Sequence, residues 1–180
     1  MDLKYAEEAL EKGALRLSLA STYQTMKNDC ARCDDELNKN LKLLNTKVFN
    51  TSQQKSFGKI DNAKINSSSR DYYVLCTSTK FYPYLFSDFK ADACLNIFNV
   101  ESFLSRLYIE ADRSFPGAVS LGQKITYGGL SKFGATFEKN NQYLFQHEWR
   151  FVIRPTEEAT QKHIYISIGN MEDIANIIKN

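Results

Sequence analysis

Two opposite charges, Glu148 and Arg150, stand inside the otherwise apolar run Tyr143-Leu144-Phe145-Gln146-His147-Glu148-Trp149-Arg150-Phe151-Val152-Ile153. Read as a strand of period two, the run places Trp149, Phe151 and Ile153 on one face and Glu148, Arg150 and Val152 on the other. A carboxylate and a guanidinium on a half-buried strand are costly unless they are paired or line a polar cleft. Two uses stay open at this point: a structural pair tying the strand to a neighbour, and a ligand-facing site.

Other residues with chemistry are scattered along the chain. Arg16 lies on the open face of the alternating stretch Ala14 to Ala20, as a ligand contact or as a surface arginine. Thr77 and Ser78 form the polar tip of the branched and aromatic run Tyr72 to Thr79. Asp34, Asp35 and Glu36 suit the first turn of a helix, where they meet the positive end of its dipole. A nuclease built on Asp34 and Asp35 would need a metal ion and a nearby lysine. No metal site is expected, because Cys30-Ala-Arg-Cys33 has no second C-x-x-C or histidine pair to complete it.

These residues must be positioned by a scaffold of ordinary size. The chain has 180 residues, enough for a single domain spanning 1–180 without disulfides or metal. A formal net charge of +2, with both signs interspersed, lacks the strong basic field of a protein that binds nucleic acid by phosphate neutralisation alone. Ten Tyr and twelve Phe serve core packing first and ring stacking second. No apolar run approaches the roughly 18 residues of a membrane span, and the charged start of the chain is unlike a signal peptide, so a cytoplasmic protein without membrane contact is expected.

The patterning predicts a short helix over Tyr5 to Lys12 stopped by Gly13, then a strand with Leu15, Leu17 and Leu19 inward. A helix is expected from Leu37, Leu41 and Leu44, and a long loop with one short strand over Thr46 to Arg70. Strands follow at Tyr72 to Thr79 and Ala93 to Phe98, then a helix capped by Asn99. Ser114 to Gly122 reads as a Pro/Gly loop, Lys124 to Tyr127 as a short strand and Ser131 to Gln146 as loop or helix. The Glu148 strand, a strand over His163 to Ile168 and a last helix capped by Asn170 complete the series. The class is α+β, with five to seven mostly antiparallel strands and flanking helices.

Three blocks together resemble uncharacterised bacterial and phage-defence domains that are similar to the ADP-ribosyltransferase superfamily. They are Leu10 to Glu36, with Leu15-Arg16-Leu17, Tyr23 and Arg32-x-x-Asp35-Glu36; Val74 to Ser78 followed by Phe86 to Phe98; and Phe137-Glu138-Lys139 leading to Gln146-His147-Glu148-Trp149-Arg150. The resemblance implies a split, mostly antiparallel sheet that holds NAD, as substrate, in its cleft. It would make Glu148 the catalytic glutamate, since a fixed carboxylate at the ribose 2′-hydroxyl stabilises the sugar cation formed as nicotinamide leaves. Gln146, two positions earlier, would assist it. Arg150 or Arg16 would bind the pyrophosphate, Thr77 and Ser78 would shape the nicotinamide pocket, and Tyr73 or Tyr127 would stack on its ring. The implied function is ADP-ribosylation of a macromolecule, RNA, DNA or protein, by a toxin or phage-defence effector with an antitoxin or regulatory protein as partner. A non-catalytic interaction module of the same fold is the alternative.

Overall fold

The computed structural model describes residues 1–25, 35–50 and 55–180. In chain order its elements are α1 (Leu3–Lys12), β1 (Ala14–Leu19), β2 (Asn38–Asn50), β3 (Lys55–Ser68), β4 (Tyr73–Ser78), α2 (Tyr84–Phe89), β5 (Ala93–Ile97) and α3 (Val100–Ser114). There follow β6 (Val119–Lys124), β7 (Thr126–Tyr127), β8 (Glu138–Lys139), β9 (Glu148–Arg154), β10 (His163–Ser167) and β11 (Ala175–Lys179). The main sheet runs β10-β1-β4-β9-β6 and is antiparallel throughout. Three two-stranded sheets accompany it, β11-β5, β2-β3 and β7-β8, of which only β7-β8 is parallel. The chain is thus α+β with a mostly antiparallel arrangement, as expected.

Alternation decides which side chains fill which side of the main sheet. Leu15, Leu17, Leu19, Tyr73, Phe151, Ile153, Ile164 and Ile166 meet Phe103, Leu107 and Ala111 of α3 in the larger core. The opposite face carries a smaller core of Ala20, Tyr72, Val74, Ile125, Phe137 and Val152. Trp149 and Phe151 join the first core and Val152 the second, which matches the two faces expected of this strand. Each face buries several large side chains at about 1.5–3 kcal/mol apiece, which pins the register, since a slip of one residue would exchange the faces.

Local signals at α1 and α3 act as expected. Gly13 ends α1 in the left-handed region at φ 65°, and its N–H donates to the Ala9 carbonyl at 2.8 Å. Asn99 caps α3 by accepting from the Ser102 N–H at 3.1 Å.

Elsewhere long-range pairing overrides local pattern. The helix expected from Leu37 is instead β2, paired over its length with β3, and β3 fills much of the stretch expected as loop. The terminal helix is instead a turn followed by β11, which completes a ladder with β5 from Ala175↔Ile97 to Lys179↔Ala93. Asn170 Oδ1 accepts from the Glu172 N–H at 2.9 Å, so its capping geometry survives in a turn. Val119–Lys124, expected as loop and strand start, is β6 and pairs with β9. Asn141–Gln146, within the stretch expected as loop or helix, forms a 3-10 helix. Eleven strands lie among the described residues, more than the five to seven expected, because Asn38–Asn50, Val119–Lys124 and Ala175–Lys179 pair as strands where helix or loop was expected and Glu138–Lys139 adds a two-residue strand. The Cys30–Cys33 and Asp34 positions lie outside the described residues.

The main sheet parts in its middle. β1 and β4 share the pairs Ser18↔Val74 and Leu19↔Tyr73, with Ala20 N–H donating to the Tyr72 carbonyl at 2.9 Å. Beyond Val74, β4 continues against β9 alone, while Ala14 to Leu17 continue against β10 alone. A cavity of about 760 Å³ is lined by residues of both diverging strands and of β5 and α2.

Candidate functional site

Side-chain register on β4 and β9 gathers the polar groups at this cavity. Ser78 pairs with Glu148 and Cys76 with Arg150, so all four side chains leave the sheet on one face. Glu148 is 5% exposed and lines the cavity; Arg150 is 0% exposed and lies behind it.

A closed network of charge surrounds Glu148. Arg150 Nε donates to Glu148 Oε1 at 2.5 Å, and Lys139 Nζ donates to Glu148 Oε2 at 2.8 Å. Arg150 Nη2 donates to Glu36 Oε1 at 2.8 Å, Nη1 lies 2.6 Å from Glu36 Oε2, and Nη1 also donates to the Thr136 carbonyl at 2.8 Å. Lys139 Nζ reaches Gln146 Oε1 at 2.9 Å and lies 3.8 Å from Glu36 Oε1. Two carboxylates and two cations thus share one buried cluster, and their mutual attraction offsets the desolvation each would suffer alone.

The cluster fixes protonation states. Burial pushes the Glu148 carboxyl up, but Arg150 and then Lys139 outweigh it and bring its pKa down to about 2. Burial acts on Lys139 in the discharging direction, and the Glu148 carboxylate reverses it, so its pKa rises above 10.5. At neutral pH the cavity wall therefore carries a fixed anion, oriented on both oxygens. Cys76 presents surface to the cavity yet sits deep among protein atoms; burial, then the Glu148 charge, raise its thiol well above the usual value and keep it protonated.

The expected site residues separate into three groups. Glu148, Gln146, Ser78, Thr77 and Arg16 all line the cavity. Ser78 Oγ lies 2.7 Å from the Gln146 carbonyl, while Thr77 Oγ1 donates to the Trp149 carbonyl at 3.2 Å. Arg150 and Tyr127 stand behind the cavity: Arg150 is spent on Glu148 and Glu36, and the Tyr127 hydroxyl accepts from the Glu148 N–H at 2.8 Å. Tyr73 is placed elsewhere, in the larger core with its ring 6.3 Å from that of Phe115, because it lies at the start of β4, where β1 still pairs with it and the strands have not yet parted. Neither Tyr73 nor Arg150 lines the cavity, and the Arg150 guanidinium is committed to Glu148, Glu36 and the Thr136 carbonyl.

Glu36, Lys139 and Thr136 join the site without having been singled out from the sequence for it. Lys139 is 6% exposed, and the lysine that closes Phe137-Glu138-Lys139 was the available signal. Among the described residues no group of three or more His, Cys, Asp or Glu is arranged to hold a metal ion. No helix of the described residues is long and apolar enough to cross a membrane.

The wider cavity is amphipathic. Its deep wall includes Leu95, Ile97, Phe103 and Leu104, whereas Arg16, Lys80 and Lys124 stand on its polar side and make no ion pair among the described residues. With the inner four charges cancelling, these three cations leave the lining net positive. Such a space takes a ligand with an apolar or aromatic part and an anionic part. Comparison with protein-family models, curated proteins and solved structures finds no match for the chain.

Proposed function

We propose that the chain is an NAD-consuming ADP-ribosyltransferase whose cavity between β1 and β4 binds the dinucleotide and whose Glu148 is the catalytic glutamate. The observation that carries this reading is the ionised Glu148 carboxylate, clamped by Arg150 and Lys139 on the wall of a cavity of about 760 Å³. The divergence of β1 from β4 agrees with the split sheet of an ADP-ribosyltransferase-like fold.

In this reading the bond between ribose C1′ and the nicotinamide nitrogen breaks, and the departing ring takes the electron pair and leaves neutral. Positive charge gathers on C1′ and the ring oxygen while Glu148 accepts a hydrogen bond from the 2′-hydroxyl. An acceptor nucleophile then forms the new bond to C1′ and releases its proton. A carboxylate already turned and charged needs no reorganisation at that moment. Arg150 is a positioning residue here, Arg16 complements the pyrophosphate, and Lys139 holds Gln146 beside Glu148. NAD is the co-substrate; the acceptor is a macromolecule, and the setting is a cytoplasmic toxin or phage-defence effector governed by an antitoxin or regulatory protein.

A second reading, a non-catalytic interaction module, rests on one observation: Nε, Nη1 and Nη2 of Arg150 all have protein acceptors, so the charge cluster is complete without a ligand. Incubation with labelled NAD and RNA, DNA or protein separates the two. Transfer by the wild type that disappears in a folded Glu148→Gln variant is expected. Unchanged transfer in that variant removes Glu148 from catalysis, and no transfer by the wild type to any acceptor favours the module.

A further inference from the structure

The link from β4 to α2 carries a group of rings that the chemistry at Glu148 does not use. Tyr82 and Tyr84 stack with centroids 5.3 Å apart and planes 11° from parallel, and the His147 ring lies 5.8 Å from that of Tyr82, tilted by 41°. Tyr84 is 47% exposed, and no further ring covers it among the described residues. Phe81, 43% exposed, lies between these tyrosines and Lys80 in sequence and lines the cavity with Lys80. Exposing large aromatic surface in a parallel stack costs free energy, and the stack's open end presents a π-face at which a planar group can continue it.

The position of these rings ties them to the site. His147 is the neighbour of Glu148, and its carbonyl accepts from both the Thr79 N–H at 2.9 Å and the Thr79 hydroxyl at 3.0 Å. The cations nearest the cavity rim, Arg16, Lys80 and Lys124, have no carboxylate partner among the described residues, so they suit a chain of phosphates. Stacking rings interleaved with unpaired cations is the arrangement that holds single strands, whose unstacked bases offer faces and whose backbone offers charge.

We infer that Tyr82, Tyr84 and His147, with Lys80 and Lys124, form a binding platform for single-stranded nucleic acid beside the cavity mouth. The acceptor of the transferase reading is then a nucleic acid; that assignment rests on the proposed function, whereas the binding itself does not. Bases stack on the outer face of Tyr84, and the lysines lie along the backbone. Duplexes bind less well, because their bases are already stacked and their faces hidden.

The test uses the whole chain without NAD and fluorescein-labelled single strands of RNA and of DNA about 12 nucleotides long, read by anisotropy. Binding at low salt is expected, weakening as salt rises with a log–log slope of roughly −0.7 per lysine or arginine engaged. Tyr84→Ala weakens binding by about fivefold or more, Tyr84→Phe retains it, and Lys80→Gln flattens the salt slope. Because Tyr84 and Lys80 lie on the surface, melting curves of all three variants should coincide with the wild type. Absence of binding at low salt, equal binding of the matching duplex, or wild-type affinity in Tyr84→Ala overturns the platform. If NAD-dependent labelling of protein then persists, the transferase reading stands with a protein acceptor.

Discussion

Glu36 and Arg150 stand 114 positions apart in the chain, yet their side chains meet in a two-point contact, Nη2 to Oε1 at 2.8 Å and Nη1 to Oε2 at 2.6 Å. The contact closes the segment before β2 over the polar face of the main sheet, where Tyr72 and Leu37 also pack. Loss of the guanidinium leaves two carboxylates buried with Lys139 alone between them. Arg150→Met is therefore expected to lower stability by about 3–5 kcal/mol in urea titration. Adding Glu36→Gln to that variant restores part of the loss, because one unpaired charge goes; a strictly additive double variant would contradict the coupling.

Acid should unfold the chain through Glu148. Its carboxyl titrates near 2 in the folded state against an ordinary value of 4.5, so the unfolded chain takes up the proton first. The stability from this group is whole above about pH 4.5 and drains away as pH falls toward 2. Urea midpoints measured between pH 6 and 2 should fall through that window in the wild type and fall less in Glu148→Gln. Parallel curves for the two proteins would assign acid lability to other carboxylates.

Lys139 tunes the same carboxylate from the other side. Lys139→Met removes one of the two cations that hold the charge on Glu148, so the acid limb of the proposed transfer rate should move to higher pH. A variant whose maximal rate drops with no displacement of that limb would show that Lys139 serves packing rather than proton occupancy.

Two glycines answer to space. A Cβ on Gly13 would sit 2.2 Å from the Gly169 carbonyl oxygen, and φ is +65° there; a Cβ on Gly134 meets nothing within 4 Å although φ is +85°. Gly13→Ala carries the left-handed penalty of about 1–2 kcal/mol and adds a clash with backbone that cannot turn aside, whereas Gly134→Ala, at ψ −177°, carries a backbone penalty of about 1–3 kcal/mol alone. Chemical denaturation should rank Gly13→Ala clearly below Gly134→Ala; equal losses would mean the α1 terminus and the Gly169 turn move apart easily.

Much of this was legible before any coordinates, and the rest fails for identifiable reasons. Alternation alone places Glu148 with Arg150 on one face and Trp149 with Phe151 on the other, because a strand's period is insensitive to what surrounds it. The same reasoning does not separate Tyr73 from Leu75 and Thr77, which share its face but line the cavity, because a strand's period says nothing about how far along it a cavity reaches. Glu36 escapes notice because Asp34, Asp35 and Glu36 also suit a helix start, and Leu37, Leu41 and Leu44 repeat at helical spacing. The ladder between β2 and β3 outweighs that spacing, and no local signal announces a partner 114 positions away. Met171, Ile174, Ala175 and Ile178 mislead likewise: their spacing fits a helix face, but β5 leaves an open edge that Ala175–Lys179 fills.

The doubly accepted Thr79 contact makes the His147 carbonyl a strut between the end of β4 and the start of β9. His147 occupies the left-handed region at φ 43°, a bend that a relaxed segment would release, so the strut also keeps the following residue from swinging. The tyrosines past Thr79 and the Glu148 carboxylate are thus joined by a short hydrogen-bonded backbone link. A ligand seated on the outside of the molecule at that corner would rest on the same stretch of backbone that carries the carboxylate inside.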